Sequence, residues 1–321
     1  MFKRMLSAFG VGGPSVDTVL DTPHAVPGQA VSGQVRIQGG SAEARIDRIV
    51  LSLVTRVEVE HGDHEYGGNA EFLSVVVAEH VVVAPGQALA VPFRLPLPWE
   101  TPITAIGGQP LPGVGVGVRT ELVIAGAPDK GDLDLLLVGP LPAQDSVLDA
   151  FGRLGFQFRK TDVEVGRIHG VHQELGFYQE LEFSPPGHHA GRVDEVELTF
   201  VTSPHELVVV LEADKRGGAF SSGGDAFGRF HVSHQDAPRT DWATLIDQWL
   251  TQVSQRASAF GGHPGQHGHH GYDHGHHGHH GSGVGGVVAG AAAGVVGGMI
   301  IGEVLDDAFE DGGEAFGFDE E

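Results

Sequence analysis

Along "AVSGQVRIQ", Val31, Gly33, Val35 and Ile37 alternate with Ser32, Gln34 and Arg36, the two-residue period of a strand with one face buried. Pro27-Gly28 before it and "QGGSAE" after it are turn signals. "IVLSLVTRVEVE" (49–60) reads as a long strand and the polar run "EHGDHEYGGNAE" as the loop of its hairpin. "FLSVVVAEHVVV" follows, then a Pro85-Gly86 turn and an alternation through Leu89, Val91, Phe93 and Leu95. A further strand is expected in "VGVGVRTELVIAG" (114–126). Strand follows strand at hairpin spacing with no helical pattern between, so this half is expected to be an antiparallel sandwich.

The prolines and charges of "APDKGDLDLLLVGPLP" read as a connection between two domains. "DSVLDAFGRLGF" has room for one or two helical turns, and five short strand patterns follow, from "FQFRKTDVEVG" to "FGRFHVSH". "TDWATLIDQWLTQVSQR" is the first sustained helical pattern, with Leu245, Trp249 and Val253 at a spacing of four and Thr240 placed to cap it. At the start of the chain, Phe2, Met5, Leu6 and Phe9 suit one face of a short docked helix. No continuous apolar run precedes Pro14, so no signal peptide is expected.

Beyond this point the composition changes. Residues 260–283 are a Gly/His-rich linker, in which His267, His269, His270, His274, His276, His277, His279 and His280 have the density of a metal-binding tract. The favoured reading is a hydrated spacer whose charge changes between about pH 5 and 8. Residues 284–302 form a glycine-striped apolar segment, with Gly286, Gly290, Gly294, Gly298 and Gly302 at a spacing of four. On a helix that stripe would let two backbones touch, a contact that matters most in lipid. An uncharged run of about 27 Å as a helix approaches the roughly 30 Å of a bilayer core. Membrane contact or homo-oligomerisation through 284–302 is therefore the alternative to a flexible tail, which is followed by an acidic end at 303–321.

Charge and cysteine content narrow the partners. The chain carries 19 Lys and Arg against 42 Asp and Glu, a net charge of −23. All the Lys and Arg lie at or before Arg256. Such a field disfavours nucleic acid and anionic lipid surfaces. With no cysteine, thiol catalysis, disulfides and Cys-ligated metals are excluded; a cytoplasmic protein, associated with a membrane at most through its tail, is expected.

Several motifs carry a family resemblance. "VDTVLDTPHAVPGQAVSGQVRIQGG" and "APGQALAVPFRLPLPWETPIT" resemble the first domain of arrestin-like proteins. "IQGGSAEARIDRIVLSLVT", "VGVRTELVIAGAPDKGDLDLLLVGPLP", "LDAFGRLGFQFRKTDVE" and "FYQELEFSPP" are similar to the sporulation-control family SpoOM, over about Met1 to Val232. The resemblance implies an all-β fold of two tandem arrestin-like sandwiches, residues 1–128 and 129–238, followed by one amphipathic helix (239–259) and the tail. It also implies a non-enzymatic regulatory scaffold acting through protein partners, with no catalytic residues and no cofactor.

Apart from the resemblance, a few motifs carry side chains capable of chemistry. "GVGVGVR" (113–119) lacks the strand–turn–helix context of a phosphate cradle and reads as a small-residue strand edge. His169, His172 and Glu174 in "HGVHQE", the pair His61 and His64, and Asp129, Asp132 and Asp134 are the body's candidate ligand groups. Alternation along a strand separates the histidines onto opposite faces. Solvated loops are expected there, and no metal site in the body.

Overall fold

A computed structural model describes residues 12–61, 64–126, 129–214, 226–260 and 299–300. The N-terminal turn, the Gly/His linker and the acidic end lie outside them. In the first half, β1 (Ser15–Leu20), β3 (Ala30–Gln38) and β6 (Ala88–Pro96) form a three-stranded antiparallel sheet in the order β1-β3-β6. It faces a sheet made by β4 (Ala44–His61), β5 (His64–Val83), β9 (Val116–Ile124) and β10 (Lys130–Val138), with β2 (His24–Ala25) added in parallel to β10. A small hairpin, β7 (Ala105–Ile106) and β8 (Gln109–Pro110), closes one end.

The alternation read from β3 is the one observed. Val31, Gly33, Val35 and Ile37 point inward, and they meet Ile49, Leu51 and Leu53 of β4 and Val116, Val118 and Leu122 of β9 in one core. Burial of such side chains contributes roughly 1.5–3 kcal/mol each. Gly33 is required by proximity, since a Cβ there would lie 2.3 Å from the Val19 carbonyl oxygen. At the predicted Pro27-Gly28 turn, Gly28 has φ +76° and its α-carbon lies under the Trp99 ring, where a Cβ would come within 2.6 Å.

The presumed connection at 129–138 is a strand: β10 pairs with β9 from Lys130 to Leu136, and its Leu136 and Val138 lie in the first core. Its acid–apolar alternation is a half-buried strand pattern, which the flanking prolines and charges obscured. β9 is likewise an interior strand, paired with β4 on one side and β10 on the other, and not a sheet edge.

The second half is an antiparallel sheet of β11 (Gln157–Val165), β12 (Phe177–Ser184), β13 (Glu195–Thr202), β14 (Glu206–Asp214) and β15 (Ala226–Ser233). Two helices cover its inner face, α1 (Pro142–Leu154) and α2 (Trp242–Phe260), with a 3₁₀ turn (Ala237–Arg239) leading into α2. α1 is longer than the one or two turns expected. Pro142 opens it, Gln144 accepts the Leu141 N–H at 2.8 Å, and Gly155 closes it at φ +86°. Ala143, Gln144, Val147, Ala150 and Phe151 are its buried positions. In α2 the buried stripe is Trp242, Ile246, Leu250 and Val253, with Leu245 and Trp249 flanking it. The cap is Asp241, which accepts the Thr244 N–H at 3.2 Å, and not Thr240, whose hydroxyl donates to the Asp236 carbonyl.

The two halves share one continuous sheet, because β11 lies parallel to β4 at Glu164 and Glu58. Beside that seam the Gln179 side chain accepts the Ile103 N–H at 2.8 Å and donates to the Ile103 carbonyl at 2.7 Å. The Glu100 carboxylate accepts the N–H groups of Glu174 and Leu175, each at 2.8 Å. Within the glycine-striped segment only Met299 and Ile300 are described. They form a short extended strand, β16 (Met299–Ile300), antiparallel to Asn69 and Ala70 on β5. Gly286, Gly290, Gly294, Gly298 and Gly302 lie outside the described residues, as do the tail histidines from His263 to His280. Among the described residues, no helix is long and apolar enough to cross a membrane.

Candidate functional site: an acidic groove on the second sheet

Side chains on a strand alternate between faces, so the helices take one set from β11–β15 and leave the other on the outer face. Strand register arranges that outer set in two rows. The first runs Asp162, Glu180, Thr199, Val210, Arg229 across all five strands. The second runs Lys160, Glu182, Glu197, Glu212, Phe227. Glu182, Glu197 and Glu212 are thus direct cross-strand neighbours, an arrangement that ordinarily destabilises a sheet.

Part of that repulsion is relieved locally. The Lys160 ammonium lies 3.0 Å from Asp162 and 2.8 Å from Glu182, and Arg159 pairs with Glu195. Those two carboxylates hold the Lys160 pKa above its ordinary value, mostly through the bond to Glu182. Glu180 is the group left under pressure. Burial, and then Glu197, Asp162, Glu164 and Glu212, push its pKa to about 9, so its carboxyl is protonated at neutral pH. Burial and the same carboxylates also raise the neighbouring Tyr178 phenol.

Glu180, Glu197, Thr199, Val210, Glu212 and Phe227 line a groove of about 250 Å³, with the loop residues Arg167, Ile168 and His169 along one rim. Arg229 donates to the His169 carbonyl at 2.6 Å, and Arg167 donates to the Gln173 carbonyl at 2.6 Å, so the loop's backbone holds both guanidiniums. Phe227 is half exposed at the opposite side. The groove therefore offers three carboxyl groups and an aromatic ring on a firm β surface, with the charged Arg167 and Arg229 also in its lining; the carboxyl and aromatic part is the chemistry that receives a cationic side chain with an aliphatic stem.

The residues singled out from the sequence are placed elsewhere. His169, His172 and Glu174 are exposed on the loop between β11 and β12, and His169 reaches the groove rim. His61 and His64 are backbone register partners at the tip of the β4–β5 hairpin. Asp129 accepts the Ile124 N–H in a turn, whereas Asp132 accepts the Thr18 N–H at 2.6 Å. Burial, with Asp132 and Asp17 nearby, raises Asp134 to about 7. Sequence reading missed the groove altogether. The available signal was the acid at alternate positions of "TDVEV", "YQELEF" and "DEVEL", but only the register aligns those acids into rows.

Two β-rich halves on a shared sheet, with a recessed acidic surface on one sheet face, define an all-β protein of the arrestin-like kind. The chain belongs to the SpoOM protein family, whose model matches residues 2–217. It is 35% identical over 216 residues to the sporulation-control protein spo0M of Bacillus subtilis (strain 168), covering 67% of this chain and 81% of that protein. The crystal structure of Spo0M from Bacillus subtilis superposes with a TM-score of 0.67 at 30% identity, covering 76% of this chain and all of that one. The chain is thus a homologue of a sporulation-control protein, a regulatory designation.

Proposed function

We propose that the chain is a non-enzymatic regulatory scaffold that binds protein partners, and that the acidic groove receives a Lys- or Arg-bearing segment of one of them. The observation that supports this most is the register, which sets Asp162 beside Glu180 and Glu182 beside Glu197 and Glu212 on one open face, with burial and these neighbours raising Glu180. A cation docked beside it would let Glu180 ionise and would offset the repulsion among its neighbours. Family membership supports the regulatory part of the reading.

The test is affinity capture by the full-length protein from lysate, with identified partners then titrated as synthetic peptides. Glu180→Lys with Glu197→Lys is expected to weaken a basic peptide at least tenfold while leaving the circular dichroism spectrum intact. Glu310→Lys with Asp311→Lys, placed in the acidic end, is the control and is expected to leave binding unchanged. Equal binding by wild type and the groove variant would remove the groove from the proposal.

A further inference from the structure

The loop between β12 and β13, "PPGHHAG", contains two histidines that the groove does not use. Pro186 and Gly187 fold it into consecutive turns, with the His189 N–H donating to Pro186 at 2.9 Å and the Ala190 N–H to Gly187 at 3.3 Å. Gly191 leaves the turn at φ +83°. That path carries both imidazoles against α2. His188 Nε2 lies 3.5 Å and His189 Nε2 3.7 Å from the same Asp247 oxygen, and the three potential ligand atoms all lie within 4.8 Å of one another. The two rings stand 4.2 Å apart between centroids.

We propose that His188, His189 and Asp247 form a divalent-metal site of the zinc class, which fastens the β12–β13 loop to α2. His189 carries the argument. Its side chain is only 5% exposed, and its Nε2 is a buried ring nitrogen without a hydrogen-bond partner. A buried polar atom left unpaired is costly, so such an atom calls for a partner. Its other nitrogen, Nδ1, lies 2.9 Å from the buried Ser254 hydroxyl. With Nδ1–H donating to Ser254, Nε2 presents its lone pair toward Asp247, the arrangement by which an outer partner orients a metal-bound imidazole. Asp247 and Ser254 are seven residues apart, two turns along one face of α2, so the helix supplies ligand and orienter together.

Distances and chemistry suit the assignment. A tetrahedral zinc with ligands at about 2.1 Å holds them about 3.4 Å apart, close to the two separations from Asp247. Two neutral imidazoles and one carboxylate favour zinc, copper or nickel over magnesium or calcium, and leave a fourth position for water. The two other carboxylate-rich groupings, Glu58 with Asp162 and Glu164, and Glu182 with Glu195 and Glu197, already include carboxylates paired to Lys160 or Arg159. The His188 site also joins a loop inside the family match to a helix outside the matched residues.

The histidine-dense tail is a second potential source of zinc ligands, so a simple binding isotherm does not isolate the site. Thermal unfolding does, because an ion raises the midpoint only if it prefers the folded state. Full-length protein is unfolded with and without zinc, as wild type, His188→Ala, Asp247→Asn, and a variant with all nine tail histidines, His263 to His280, changed to Gln. His188 and Asp247 are 61% and 45% exposed on their side chains, so both single variants are expected to fold. Zinc is expected to raise the midpoint by several degrees in wild type and in the tail variant, and magnesium to leave it unchanged. The zinc shift should fall to near zero in His188→Ala and Asp247→Asn, each judged against its own zinc-free midpoint. An unchanged shift in those two variants, or no shift in wild type, overturns the proposal.

Discussion

Glu180 shows how far one carboxyl is displaced by its neighbours on a sheet. Its folded pKa of about 9 stands well above its ordinary 4.5, so between these values the folded state holds a proton that the unfolded chain has released. Stability is then present below about pH 4.5 and declines as pH rises toward 9. Glu180→Gln keeps the shape and removes the titration. Urea unfolding across pH 5 to 9 is expected to show wild type losing stability with rising pH along a slope that the variant flattens, so that the variant is the more stable at pH 8.5. Parallel slopes would mean that Glu180 ionises freely.

At the scale of elements, the helices decide whether the second sheet has an inside. Leu250 is fully buried on α2, in the core cluster that includes side chains of β13 and β14, whereas Leu245, one of the positions that marked the helix in the sequence, lies at the margin of that cluster. Leu250→Ala should therefore cost about 2–5 kcal/mol, the range for a buried large-to-small change. Leu245→Ala should cost less than half as much. Urea midpoints at constant m-value measure both, and equal losses would place the stripe where the sequence pattern centred it. The difference arises because a spacing of four marks a helix surface without saying which edge of that surface meets the sheet.

Across the whole molecule, the seam between halves joins an apolar cluster to a few polar bonds. Val57, Ala70 and Phe72 pack against Val163 and Phe177 across it, beside the β4–β11 pairing and four hydrogen bonds made by Gln179 and Glu100. Burial raises the Glu100 carboxyl, and its two backbone N–H donors oppose part of that shift. Gln179→Ala with Glu100→Ala leaves four backbone groups without those partners. At about 1 kcal/mol for each hydrogen bond, the loss should be roughly 3–4 kcal/mol. Calorimetry is expected to show one cooperative transition in wild type and two separated ones in the double variant. A single unshifted transition would show that the shared sheet and the apolar cluster at Val57, Val163 and Phe177 couple the halves without these bonds.

The alternation in β3, the paired turns at Pro27-Gly28 and Pro85-Gly86, and the helical period after Asp241 were legible because each depends on contacts between residues close in sequence. So was the all-β class, since strand patterns recur with little helical pattern between them. Residues 130–138 and α1 were harder to read, the first because charges masked a strand and the second because its apolar spacing was short and interrupted by Gly152. The acidic groove and the His188–His189–Asp247 cluster were not legible at all. Register across five strands sets the rows of carboxylates, and the packing of a helix about 60 residues downstream brings Asp247 to the histidines. Local pattern determines which face of an element is buried, but which distant face lies opposite is decided only when the chain has closed on itself.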